Sequence, residues 1–70
     1  MLTTAPEIDL ADWDIIIERA QRAPHVEQKL MLTAGQLATA QQRSRLIGQS
    51  EHATELGRRL RYVQDLLDRN

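Results

Sequence analysis

The C-terminal third of the chain carries a seven-residue apolar repeat, which limits the possible folds more than any other feature. Its members recur at spacings of three, four, three and four: Ala53, Leu56, Leu60, Val63 and Leu67. This spacing aligns them along one side of an α-helix and is typical of a seam that packs against another helix. Glu55 and Arg59, four residues apart, support the same helix from its polar side.

A second apolar stripe precedes the first and predicts a helix over residues 25–47. Its members are Val26, Leu30, Thr33, Leu37, Ala40 and Ser44. Gly48 can supply a left-handed cap to this helix, and Ser50 can cap the next one. When the two stripes are extended toward each other along one continuous helix, they are out of register by one residue beside Gly48. We therefore predict an antiparallel hairpin of residues 25–47 and 51–69, with a single rod over 25–69 as the alternative.

A hairpin that turns at Gly48 has a defined register. It pairs Leu37 with Leu60 and Gln41 with Leu56. It also sets Gly57 beside Ala40 and Gly35 beside Tyr62, where a small residue lets the helices approach or makes room for the ring. The alternative is that the helices merely tolerate both glycines, each of which costs about 1 kcal/mol of helix stability relative to alanine.

An additional N-terminal helix is predicted over residues 5–22. Leu10, Trp13, Ile17 and Ala20 recur at spacings of three and four, and Pro24 ends the pattern. Residues 4–7 have the form of a capping box, with a second possible start at Asp9. We expect residues 1–4 to be disordered.

Three consecutive isoleucines, Ile15, Ile16 and Ile17, are compatible with a strand, since β-branched residues favour sheets. The chain offers no second strand to pair with, so a helix is the better prediction. In a helix the three side chains point about 100° apart. At least one of them should therefore face away from the hairpin.

The fold class that follows is all-α, a single small domain over residues 1–70 that forms a three-helix bundle or a coiled-coil-like assembly. Of the 70 residues 41% are hydrophobic, and the apolar stripes exceed what so short a chain can easily cover. We therefore expect a non-enzymatic protein–protein interaction module, bound to a helical partner or self-associated. Its predicted contact residues are Trp13, Ile16, Ile17, Met31, Leu56, Leu60, Tyr62, Val63 and Leu67.

Charge is distributed unevenly, although the net charge is only −1. Residues 1–28 carry six acids and two bases, whereas residues 29–70 carry four acids and seven bases. One interpretation is that the helices merely have different solvated faces. The other is that the acidic segment docks on the basic one, within the chain or in a dimer.

Catalytic, metal-binding and cofactor-binding patterns are not found. There is no cysteine, and His25 and His52 start different predicted helices, too far apart to share a metal ion. We also find no signal peptide and no membrane-spanning run, so the expected location is cytoplasmic. An alternative function is a nucleic-acid-binding regulator that uses the basic stretch Arg58–Arg61. A third is a purely structural coiled-coil oligomer.

The acidic N-terminal segment, the two antiparallel helices and the closing stretch Leu60-Arg61-Tyr62-Val63-Gln64-Asp65-Leu66-Leu67 resemble one known family. They are similar to the small co-chaperones of bacterial type III secretion needle subunits. The resemblance covers residues 25–69 as a pattern. It implies a helical hairpin that pairs with a larger helical-repeat chaperone and shields the needle subunit from early polymerisation. The isoleucine-rich first helix departs from that pattern, and no binding residue can be carried over.

Overall fold

Three α-helices make up the computed structural model, which describes residues 8–69: α1 (Leu10–Arg22), α2 (Val26–Leu46) and α3 (Ser50–Arg69). No strand occurs in this range. Helices α2 and α3 form the most extensive interface, and α1 packs mainly on α2 and to a lesser extent on α3. The all-α prediction is confirmed, as are the hairpin rather than the rod and the three-helix bundle.

The turn between α2 and α3 is built around Gly48, whose φ of 81° is left-handed. The Gly48 N–H donates to the Arg45 carbonyl at 3.2 Å, and the Gln49 N–H donates to the Ser44 carbonyl at 2.8 Å. This pair of bonds is a Schellman motif, which satisfies the last carbonyls of α2. Ser50 is the first residue of α3, and Gln49 occupies the cap position predicted for Ser50.

The bounds of α1 differ from the prediction at one end. Asp9 is extended, and its carbonyl accepts the first helical hydrogen bond, from the Trp13 N–H at 3.0 Å. The helix therefore begins at the second of the two predicted starts, and the capping box at residues 4–7 lies outside the described residues. At the other end Ala23 is extended with ψ of 152°, the conformation that Pro24 imposes on its predecessor.

The core lies where the three apolar stripes meet. Its buried apolar members come from all three helices: Trp13, Ile17, Ala20, Leu30, Leu37, Leu56 and Val63. Thr33 and Ser44 are buried in the same stripe of α2. The Thr33 hydroxyl donates to the Lys29 carbonyl at 2.8 Å, so this polar group enters the core with its hydrogen bond made. Leu60 and Leu67 lie half-buried at the edge of the core.

The three isoleucines of α1 behave as the helical geometry predicts. Ile17 is buried, Ile16 is half-buried against the core, and Ile15 is 48% exposed. The run therefore contributes one side chain to the core and leaves one in solvent.

The two helical glycines have different surroundings. A Cβ atom at Gly57 would run into the side-chain amide of Gln41, which donates to the Ala53 carbonyl at 3.2 Å. Gly57 therefore leaves a space that the Gln41 side chain of α2 fills. A Cβ atom at Gly35 would meet nothing within 4 Å, so the prediction that Gly35 makes room for Tyr62 is wrong.

Candidate protein interface

Helix α2 carries apolar side chains on the face that points away from the hairpin seam. Met31 is 59% exposed and Leu32 is 56% exposed, and both lie in the second turn of the 21-residue helix α2. A peripheral helix of a small bundle usually keeps its outer face polar. Two adjacent large apolar residues in solvent therefore need a separate explanation.

These two side chains border a groove, which we call the outer groove. One wall is the α2 face from Met31 to Arg43, and the other is Ile8, just before α1. The floor includes Trp13 and Leu56, both buried. The volume of the groove is about 640 Å³.

The outer groove exists because α2 has small residues between its large ones. Gly35, Thr39 and Ala40 line it, and none has a side chain long enough to fill the space above the floor. At Gly35 the space is open even to an added Cβ atom. The sequence therefore leaves a depression along α2 between the apolar pair Met31–Leu32 and Arg43.

The charge of the outer groove is one-sided. Arg43 lines it and is exposed, and within residues 8–69 it forms no salt bridge. Among residues 8–69, His52 is the other titratable residue that lines the groove, and no Asp or Glu of this range lines it. A ligand with a carboxylate is therefore favoured over a cationic one at this end of the groove.

On the other side of α1, an ion-pair network ties the helix to α3. Arg59 donates from Nε to Oδ1 of Asp14 at 2.9 Å and from Nη2 to Oδ2 at 3.2 Å. It also donates from Nη1 to Oε1 of Glu55 at 3.2 Å. The hydrogen bond to Asp14 raises the pKa of Arg59 above its ordinary value; burial opposes this and the bond to Glu55 reinforces it. The acidic segment thus docks on the basic one within the chain, at this contact.

The predicted contact residues fall into three groups. Trp13, Ile17, Leu56 and Val63 are buried in the chain's own core, so they offer no side-chain surface to a partner in this fold. Half-buried positions at the core's edge are Ile16, Leu60 and Leu67. Met31 and Tyr62 are exposed.

The structure does not bring the two exposed residues together. Met31 borders the outer groove, whereas Tyr62 lies beside Ile17 and Arg59, on the other side of α1. The groove residues Ile8 and Leu32 are absent from the predicted set. The sequence does mark Leu32 as an apolar residue off the predicted seam, a kind of residue that helix interfaces use.

A second exposed apolar pair lies at the end of α2. Leu46 is 80% exposed and Ile47 is 56% exposed, although the spacing of the α2 stripe continues to Ile47. Leu46 lies off the buried stripe of α2, and Ile47, which the stripe would reach, is the C-cap residue just before the turn at Gly48. The buried position nearest this end of the helix is Ser44.

The basic stretch Arg58–Arg61 is partly neutralised within the chain. Arg59 is engaged by Asp14 and Glu55, and Arg58 lies 3.4 Å from a Glu55 oxygen. Arg61 is exposed. The stretch therefore presents less free positive charge than its composition indicates.

Residues 8–69 contain no group of three or more potential ligand side chains placed to hold a metal ion. None of the three described helices has both the length and the apolar content that crossing a membrane requires. No protein-family model matches the chain, and neither the curated proteins nor the solved structures include a significant match. The outer groove is thus the feature on which a functional proposal can rest.

Proposed function

We propose that this protein is a non-enzymatic interaction module that binds another helical protein through the outer face of α2. The observation that carries the proposal is the exposure of Met31 and Leu32 beside a groove of about 640 Å³. Large apolar side chains grouped around a depression are typical of a surface that another chain covers.

A helix of the partner is the element that fits this surface. The outer groove follows the axis of α2, and a helix laid along it would cover Met31 and Leu32 together. Such a helix would complete a four-helix arrangement in which α2 has neighbours on both faces. This geometry would account for the exposure of Met31 and Leu32 on the outer face of α2.

The resemblance of residues 25–69 to needle-subunit co-chaperones supports the same class of function. In that version of the proposal, the partner is a larger helical chaperone in the cytoplasm. The proposal does not depend on the resemblance, because the exposed pair and the groove would serve any helical partner.

The nucleic-acid alternative has weaker support. A binder of nucleic acid needs unpaired cations that can contact phosphates. Arg58 and Arg59 instead pair with carboxylates of the chain itself. We therefore favour the interaction module.

Photo-crosslinking in the native cells tests the proposal. A photoreactive residue at Leu32 should give one reproducible adduct with another protein chain. The matched control is the same residue at Gln64, an exposed position of α3 outside the outer groove, which should not give that adduct. Equal adducts at both positions, or no adduct at Leu32, would count against the proposed interface.

A further inference from the structure

We infer that the occupant of the outer groove is an acidic amphipathic helix that runs antiparallel to α2, with a carboxylate of its first turn against Arg43. This inference rests on the proposed function and specifies the chemistry of the partner. It follows from the charge, the spacing and the direction of the residues that line the groove.

The charge argument concerns Arg43. Among residues 8–69, Arg22, Arg58 and Arg59 pair with carboxylates of the chain, and Arg43 is the arginine that lines the outer groove. Arg43 pairs with no carboxylate of the described residues. A helix that covers the outer groove removes water from this guanidinium, so a partner without a compensating carboxylate would bind less well.

The spacing argument sets where that carboxylate belongs. Leu32 and Arg43 are separated by 11 positions of one continuous helix, which is about 17 Å or three turns. The partner therefore needs an apolar anchor for Leu32 at one end and an acid about three turns away. Gly35 and Thr39 lie between, so large apolar side chains of the partner can fill the middle of the groove.

The direction argument uses the helix dipoles. Arg43 lies in the last turn of α2, where the macrodipole is negative. An antiparallel partner places its positive N-terminal end there. An acid in the first turn of the partner is then favoured both by its own helix and by Arg43.

A second copy of the chain that pairs symmetrically through its own α2 fits this surface less well. Glu27 is the one acid of α2, and it lies 16 positions from Arg43, which is about 160° around the helix. Symmetric pairing of two α2 outer faces therefore leaves Arg43 without a carboxylate. For this reason we assign the groove to a different chain.

The experiment uses a displayed library of helices of about 18 residues, with leucines fixed along one face at helical spacing and the flanking positions varied. The library contains no tryptophan, and helices that bind the full chain are selected from it. Binding is measured from the emission of Trp13, the single tryptophan, which lies in the floor of the groove. We expect selected helices to carry Asp or Glu in their first turn.

Two variants make the outcome specific. Helices selected against the Arg43→Glu variant should carry Lys or Arg in their first turn instead of acids. The control is Arg45→Glu, because Arg45 is a neighbouring exposed cation outside the groove lining, and this variant should still select acids. Binding to Leu32→Glu should fall at least about tenfold, which corresponds to about 1.4 kcal/mol.

The remaining outcomes separate the inference from the proposed function. Helices that need Leu32 but show no preference for acids, or that carry the acid in the last turn, would overturn the inference and leave the proposed function standing. Binders unaffected by Leu32→Glu, or no binders at all, would overturn both. Sedimentation equilibrium of the chain alone is also decisive, since a dimer that Leu32→Glu dissociates would assign the groove to a second copy.

Discussion

Arg59 of α3 holds Asp14 of α1 through two parallel hydrogen bonds, of 2.9 and 3.2 Å, across 45 positions of sequence. The carboxylate is 59% exposed, whereas the guanidinium side chain is only 20% exposed. The pair therefore links α1 to the hairpin, with its carboxylate largely in solvent. Its energetic contribution should be small for its geometry.

Replacement of Asp14 tests that contribution. We expect Asp14→Asn to lower the free energy of unfolding by less than about 1 kcal/mol, and the difference should shrink as salt is added. Urea unfolding at low and high salt measures both effects. Glu18→Gln is the control, because it removes an ion pair with Arg22 that lies within α1 and does not join two helices. An effect of several kcal/mol would show that the pair organises the bundle.

The direction of the Arg59 pKa shift determines how pH acts on this contact. Since the folded-state pKa of Arg59 is raised, the stabilisation is fully present below the ordinary arginine pKa and is lost only as pH rises through the higher folded value. We expect no loss of stability from Arg59 between about pH 6 and pH 9. Wild type and Arg59→Met should differ by a constant amount across this range in thermal unfolding. A difference that changes with pH would contradict the assignment.

Two leucines of α2 offer a matched comparison of its faces. Leu37 is fully buried, whereas Leu32 is 56% exposed. We expect Leu37→Ala to cost about 2–5 kcal/mol because it leaves a cavity, and Leu32→Ala to change stability by no more than about 0.5 kcal/mol. Chemical unfolding of the isolated chain measures both. A large loss for Leu32→Ala would mean that the outer face already has a partner within the chain.

The three glycines should respond differently to alanine. Gly48→Ala should destabilise by about 1–2 kcal/mol, because φ of 81° forces a Cβ atom toward the carbonyl. Gly35→Ala should stabilise by up to about 1 kcal/mol, since the new Cβ meets nothing and the helix gains propensity. Gly57→Ala should gain less than Gly35→Ala, because Gln41 must move. Thermal melts of the three variants rank them, and the reverse order would show that the turn geometry differs.

Trp13 gives the last prediction. The sequence alone predicts that Trp13→Ala weakens assembly more than it weakens folding. Trp13 is only 4% exposed in the folded chain, which changes that expectation. Trp13→Ala should lower the free energy of unfolding by about 3–5 kcal/mol. Circular dichroism with urea measures it, with Tyr62→Ala as the exposed aromatic control. Loss of assembly with unfolding unchanged would restore the first prediction.

Much of the fold was predictable because periodic spacing specifies which side of a helix is buried. The heptad of α3 and the stripe of α2 confirm this, including Thr33 and Ser44, whose polarity would otherwise argue against burial. Gly48 was predictable as a cap because few other residues accept its conformation. The start of α1 was not, because residues 4–7 and Asp9 offer competing signals of similar strength.

The outer groove was less predictable than the core. A stripe predicts which residues face the seam, but the groove depends on where Ile8 lies against α2, a relationship between distant positions. The same limit explains why Trp13 and Ile17 were predicted to contact a partner. Spacing shows that a face is apolar, but not whether α1 or another chain covers it.

The short links around Pro24 and Gly48 have a kinetic consequence. Each joins helices that pack as immediate neighbours, so most native contacts form between residues close in sequence. Bundles of this topology fold in microseconds to milliseconds because little loop entropy must be lost before contacts form. The chain should therefore regain its fold within milliseconds after it is unfolded.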